Sequence, residues 1–252
     1  MTGRDVDWPI TLWIIRHGQS AGNVARDAAE AAGLPLIDLQ TRDADTPLSD
    51  LGAEQANALA DWFAALSPAL RPTRLLTSPF VRSVQTCVPI AQRLGVPRGE
   101  ILIDERLREK EFGILDRFTR HGIKSKFPEL HAQRALVGKF YFRPPGGESW
   151  CDVILRLRSV LEGVRRDQGG QHVVIVSHQV VVNCFRYLLE NLDEATILQI
   201  DRDADVPNCG ITEYRLNVSA HAMKRTQTNL VLPLKAAGTP VTTAKDQPAG
   251  PK

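Results

Sequence analysis

Leu12-Trp13-Ile14-Ile15-Arg16-His17-Gly18-Gln19-Ser20 is an apolar run that stops abruptly at a cation, an imidazole and a glycine. Bulky and β-branched side chains over this short span predict a buried strand. The residues that follow, Ala21, Gly22 and Asn23, are small or polar. Arg16 and His17 therefore stand at the carboxyl end of a strand, where open α/β sheets place their ligand sites. Arg16 offers a planar fork of donors for a phosphate or carboxylate. His17 can act as nucleophile, base or metal ligand. Gly18 lets the backbone come close to a ligand, and Asn23 adds an amide donor.

A second run of the same kind, His172-Val173-Val174-Ile175-Val176, ends at Ser177-His178-Gln179 and leads into an apolar helix expected to reach about Leu192. Between the two runs, Ser49 and Asp50 are placed to cap a helix running to about Leu66. Arg74-Leu75-Leu76-Thr77 reads as a strand, and Ser78-Pro79 as the start of a helix that carries Arg82 and ends at Gly95. Ile101-Leu102-Ile103 is a third strand, followed by the charged segment Glu105 to Gly113. The helix after Gly147-Glu148-Ser149 spaces Trp150, Val153, Ile154, Leu157, Val160, Leu161 and Val164 at helical period. The stretch from Asp201 to Pro207 reads as a loop, and Ile211 to Leu216 and Asn229 to Leu234 as late strands. Strands alternating with helices predict an α/β fold: a mostly parallel central sheet with helices on both faces.

Residues 1–234 are expected to form one domain. Residues 117–143 carry seven Lys or Arg against one acid, Glu129. They are read as a basic, partly helical insertion over the site, which would draw anions; a solvated basic face is the plainer alternative. Residues 235–252, rich in Thr, Ala, Pro and Gly without an apolar stripe, are expected to be a disordered tail. The net charge of +2 is too small to indicate nucleic-acid binding. No apolar run is long enough to span a membrane. The first nine residues lack the apolar core of a secretory signal. The four cysteines, Cys87, Cys151, Cys184 and Cys209, are far apart and form no Cys-x-x-Cys pair, which predicts unpaired thiols and a cytoplasmic location. The sequence leaves the oligomeric state open.

The polar groups at element ends are Arg16, His17, Asn23, Arg82, Glu109 and His178. Two arginines, two imidazoles, an amide and a carboxylate suit a phosphoryl group, whose transfer rests on positioning and charge neutralisation. A neutral imidazole can attack phosphorus. The second imidazole, if protonated, can share the charge. A carboxylate can protonate the leaving oxygen and then take a proton from water. Neighbouring cations would lower the pKa of the attacking imidazole. A histidine-based metal site is the weaker reading: no His-x-His or Glu-x-x-His spacing surrounds either histidine, and two arginines would repel the cation.

These residues carry a resemblance to the histidine phosphatase superfamily, also called phosphoglycerate mutase-like. Arg16-His17-Gly18-Gln19-Ser20 with Asn23 stands first, and Leu48-Ser49-Asp50-Leu51-Gly52 with Gln55-Ala56 follows. Ser78-Pro79 with Arg82 and Thr86 comes next, then Leu107-Arg108-Glu109 with Phe112-Gly113, Gly147-Glu148-Ser149 and Val176-Ser177-His178. The resemblance spans about Leu12 to Leu216. It implies that His17 is the nucleophile that becomes phosphorylated. Arg16, Arg82 and His178 would bind the phosphoryl oxygens, Asn23 would line the pocket and Glu109 would donate the proton; Glu111 is the rival acid. Neither metal nor other cofactor is implied, and the expected ligand is a small phosphorylated metabolite. Gln179 stands where the family often has glycine, keeping a backbone donor but narrowing the approach. That residue, the apolar Val180-Val181-Val182 and Gln19 in place of a glutamate lean towards a phosphatase. A phosphoglycerate mutase or sugar bisphosphatase is the alternative, and a non-catalytic phospholigand-binding module is the second.

Overall fold

The computed structural model describes residues 7–243. In chain order they form β1 (Thr11–Arg16), α1 (Ala21–Ala31), α2 (Asp50–Ala65), β2 (Arg74–Thr77), α3 (Val81–Leu94), β3 (Leu102–Ile103), α4 (Arg120–Lys126), α5 (Pro128–Val137), α6 (Trp150–Asp167), β4 (His172–Ser177), α7 (Gln179–Leu189), α8 (Glu194–Asp203), β5 (Ile211–Asn217), β6 (Ala222–Leu230) and α9 (Leu232–Ala236). The sheet order is β3-β2-β4-β1-β5-β6. The first four strands of that order are parallel, and β5 and β6 join antiparallel at one edge.

Alternate residues of β1 feed two cores. Leu12 and Ile14 pack with Trp150, Leu157 and Phe185 of α6 and α7. Trp13 and Ile15 pack with Leu59, Phe63 and Ile90 of α2 and α3. Burial on both faces is why β1 and β4 read as unbroken apolar runs. Each such fully buried side chain contributes about 1.5–3 kcal/mol. Residues 117–143 form a small cluster with the preceding Leu115, which packs with Ile123 and Phe142. The insertion is also tied to the body by a buried ion pair, Lys139 Nζ to Asp201 Oδ2 at 2.5 Å.

Several local expectations change. The charged residues at 201–203 close α8 rather than forming a loop, because Asp201 is buried against Lys139 and Asn183. Strand β6 runs from Ala222 to Leu230 as an exposed edge strand with polar side chains, and the second half of the strand expected over 229–234 is instead the start of α9, with Pro233 in its first turn. The chain does not lose structure at residue 235. Residues 235–236 complete α9, and Pro240 and Thr242 are hydrogen-bonded to Gln55 and Asn208. The remainder of the expected tail, 244–252, lies outside the described residues. All four cysteines are free thiols, three of them buried and Cys151 partly so. Among the described residues no helix is long and apolar enough to cross a membrane.

Candidate active site

Strand register brings the two histidines together. Arg16 pairs with Ser177 at the ends of β1 and β4, so the next residues, His17 and His178, emerge side by side. Their ring centroids are 5.1 Å apart. His17 Nδ1 lies 2.7 Å from the Gly18 carbonyl. A carbonyl can only accept, so Nδ1 carries the proton and Nε2 presents a lone pair. That lone pair accepts from Arg82 Nε at 3.1 Å. Burial, then the Arg82 and Arg16 guanidinium groups, hold the His17 imidazole well below its usual pKa, against the opposing pull of the Gly18 carbonyl. His17 is therefore neutral near pH 7, with burial as the largest cause and the cations second.

His178 differs from the charge-sharing cation considered for it. Burial, then Arg82 and His17, lower its pKa well below the usual value, so it is neutral too. Its Nε2 lies 2.8 Å from Ser78 Oγ, while its buried Nδ1 has no hydrogen-bond partner among the described residues. With the Ser78 hydroxyl donating to Nε2, the proton sits on Nδ1. The sequence presents Ser78 as a helix cap and as part of a motif, without a role for its hydroxyl at His178. The helix begins at Val81 instead, capped by Phe80 without a side-chain bond, and the Ser78 hydroxyl serves the imidazole.

Arg16 NH1 donates to Gln179 Oε1 at 2.7 Å and to the Val206 carbonyl at 2.5 Å. Gln179 in turn donates to Asp205 Oδ1 at 2.9 Å. Its side chain thus steadies Arg16. Asn23 uses its Oδ1 to cap α1, accepting from Ser20 N at 3.0 Å. Its Nδ2 has no hydrogen-bond partner among the described residues. Arg82, on the first turn of α3, gives NH1 to the Asp43 carbonyl and NH2 to Asp43 Oδ2 at 3.0 Å.

A cavity of about 420 Å³ opens over these groups. Arg16, His17, Asn23, Arg82, Glu109 and Gln179 all line it. His178 lies fully buried beneath, packed on His17. Glu111 is not on the wall. It sits near Arg108, and its backbone nitrogen donates to Glu148. Arg156 steadies the segment that carries Glu109. It bonds the Arg106 and Glu109 carbonyls and pairs with Glu148. Beyond the phosphate-sized end, Leu39, Phe112 and Phe118 give apolar wall, while Arg26 and Asp116 add charge. Arg117 and Arg120 bring the insertion to the rim, and Arg117 also holds the Leu39 and Thr41 carbonyls. Among the described residues no group of three His, Cys, Asp or Glu side chains is placed to hold a metal ion.

Sequence reading missed a buttress behind the site. Asn208 Nδ2 donates to the His17 carbonyl at 3.0 Å, and Cys209 N donates to that of Arg16 at 3.0 Å. Cys209 adopts φ +53°, a left-handed turn that no local motif announces. Gln55 Oε1 accepts from Gln19 N at 2.8 Å. Gln55 had been noted only as part of a motif; Asn208 and Asp43 carried no signal beyond lying in polar loops.

Comparison with known proteins identifies the family. The family model of the histidine phosphatase superfamily (branch 1) matches residues 12–229. The probable phosphoglycerate mutase GpmB of Photorhabdus laumondii is 30% identical over 175 residues, covering 69% of this chain and 72% of that protein. The 6-phosphofructo-2-kinase/fructose-2,6-bisphosphatase of Caenorhabditis elegans is 32% identical over 177 residues, 70% of this chain but 33% of that protein, so the match spans only about a third of the bifunctional relative. The fold is shared with the alpha-ribazole phosphatase of Shigella flexneri, at TM-score 0.70 and 21% identity over 88% of this chain and 96% of that one. It is also shared with a mycobacterial glucosyl-3-phosphoglycerate phosphatase bound to inorganic phosphate, at TM-score 0.66 and 23% identity over 87% and 97%. The chain belongs to the histidine phosphatase superfamily.

Proposed function

We propose that the protein is a phosphomonoesterase that acts through a phosphohistidine on His17, without a metal ion. The observation that carries this reading is the state of His17: neutral, with its proton on Nδ1 facing Gly18 and its Nε2 lone pair beside Arg82. Nε2 attacks phosphorus and the bond to the ester oxygen breaks. Glu109, on the cavity wall, gives that oxygen a proton. The Glu109 carboxylate then takes a proton from water as the water attacks the phosphohistidine, and the P–N bond breaks to release inorganic phosphate. Arg16, Arg82, Asn23 Nδ2 and His178 Nδ1–H meet the phosphoryl oxygens, whose negative charge they offset in a buried site. The cavity volume suits a small phosphorylated metabolite with a partly apolar body. Four free thiols fit a reducing, cytoplasmic setting.

The likeness to GpmB keeps a mutase as the second reading. A mutase would need priming by a bisphosphorylated compound, and a phosphatase would not. The deciding experiment is hydrolysis of p-nitrophenyl phosphate in a chelator, wild type beside His17→Ala. Turnover that persists in chelator and disappears in the variant is expected. Turnover retained by His17→Ala removes the phosphohistidine from the mechanism.

A further inference from the structure

The loop Arg42-Asp43-Ala44-Asp45 contributes a residue that the catalytic scheme above does not use. Asp43 takes both terminal nitrogens of Arg82, NH1 through its carbonyl and NH2 through its carboxylate. The remaining nitrogen, Nε, donates to the His17 Nε2 lone pair. The chain Asp43–Arg82–His17 therefore occupies the nucleophile and its neighbouring cation at once. An incoming phosphoryl group needs that lone pair in line with phosphorus, and it needs N–H groups of Arg82 for its oxygens. The first competes with the Nε bond to His17, and for the second three of the five guanidinium N–H groups are already engaged. The loop is held where it is: Arg117 grips the Leu39 and Thr41 carbonyls, and Thr46 Oγ1 donates to the Arg42 carbonyl at 3.1 Å. Asp43 also lines the rest of the cavity, where the Asp116 carboxyl is raised by burial first and by the Asp43 charge second.

Resting on the phosphatase reading, we propose that Asp43 is an internal competitor for oxyanions: it holds Arg82 on the resting nucleophile and weakens the site's grip on inorganic phosphate, the reaction's product. A phosphoryl group enters as Arg82 turns from His17 Nε2 to the phosphoryl oxygens and gives up its ion pair. The bond to Asp43 re-forms as phosphate leaves. The competing view, that Asp43 merely orients Arg82 for phosphate, predicts the opposite sign.

The test is inorganic phosphate binding by titration calorimetry, together with phosphate inhibition of p-nitrophenyl phosphate hydrolysis. The proteins are wild type, Asp43→Asn and Asp43→Ser. The Asp43 side chain is 44% exposed, so neither change opens a core. Circular dichroism checks the fold of each. Removing one negative charge beside a partly buried oxyanion site tightens phosphate by about tenfold. Adding Arg82→Ala to Asp43→Asn should abolish that gain. Unchanged or weaker phosphate binding by both variants, with the aryl ester still hydrolysed, overturns the competitor role and leaves the phosphatase reading intact. Absence of both phosphate binding and turnover in all the proteins overturns the functional reading and this inference with it.

Discussion

His17 and His178 are both buried and both neutral, and that has a cost in acid. In the unfolded chain an imidazole titrates near the ordinary value of about 6.5. In the folded protein both pKa values lie well below it. Between the two values the unfolded state binds protons that the native state refuses, so stability falls as pH falls below the unfolded value. Each imidazole contributes a slope of about 1.4 kcal/mol per pH unit through that window. Urea unfolding followed from pH 7.5 to 5.0 should show this loss, and His17→Asn should lose less than wild type over the same range. Parallel curves for the two proteins would mean that the native fold does not lower the His17 pKa. Nearly every member of the constellation was legible at this scale, because Arg16, His17, Arg82, Glu109 and His178 each stand where an apolar or periodic run breaks. Partners drawn from distant loops were not legible. Nothing local to Ser78 says that its hydroxyl meets an imidazole one hundred residues away.

Elements hold these residues by backbone contact as much as by side chains. The first turn of α2 lies directly on the loop after β1. A Cβ on Gly52 would stand 1.9 Å from the Gln19 carbonyl, and one on Gly18 2.6 Å from the Gly52 carbonyl. Ser49 completes the junction, its N–H donating to the Gln19 carbonyl at 2.9 Å and its hydroxyl to Gln19 Oε1 at 2.8 Å. Gly52→Ala should therefore push the nucleophile loop away, costing about 1–3 kcal/mol of stability with a larger loss of turnover. Gly163, inside α6, is the contrast: an added Cβ there meets nothing within 4 Å. Gly163→Ala should raise stability by about 1 kcal/mol with turnover unchanged. Denaturant midpoints and aryl phosphatase rates on the same preparations measure both; a neutral Gly52→Ala would mean that the two loops are not in contact. Helix α2 was readable from its Ser49 cap and α6 from the helical spacing of its apolar residues, while the Ser149 capping box was not read. The exposed edge strand β6 and the charged end of α8 were not, because edge position and a buried ion pair depend on tertiary neighbours.

At the scale of the molecule, the segment after α9 returns to the back of the catalytic loop. Thr242 Oγ1 accepts from Gln55 Nε2 at 2.9 Å and donates to Asn208 Oδ1 at 3.0 Å. Gln55 in turn receives the Gln19 N–H, and Asn208 Nδ2 holds the His17 carbonyl. One hydroxyl therefore links the end of the described chain to both sides of the His17–Gln19 loop. Composition alone could not reveal this, since a Thr- and Pro-rich segment has no apolar stripe and its anchorage consists of polar bonds to residues far away in sequence. Thr242→Val keeps the shape of the side chain and removes both bonds. Each such bond contributes about 0.5–1.5 kcal/mol, so the melting temperature should fall by roughly 2–8 °C for a domain of this size. On the proposed phosphohistidine reading, loosening the backbone of His17 should also lower kcat on p-nitrophenyl phosphate more than it changes KM, because the geometry of attack suffers while Arg16 and Arg82, the proposed phosphoryl ligands, stay in place. Thr242→Ser, which retains the hydroxyl, should restore most of kcat. A Thr242→Val enzyme with reduced stability and an intact kcat would reduce the segment to a fastening of the fold, with no part in holding the nucleophile.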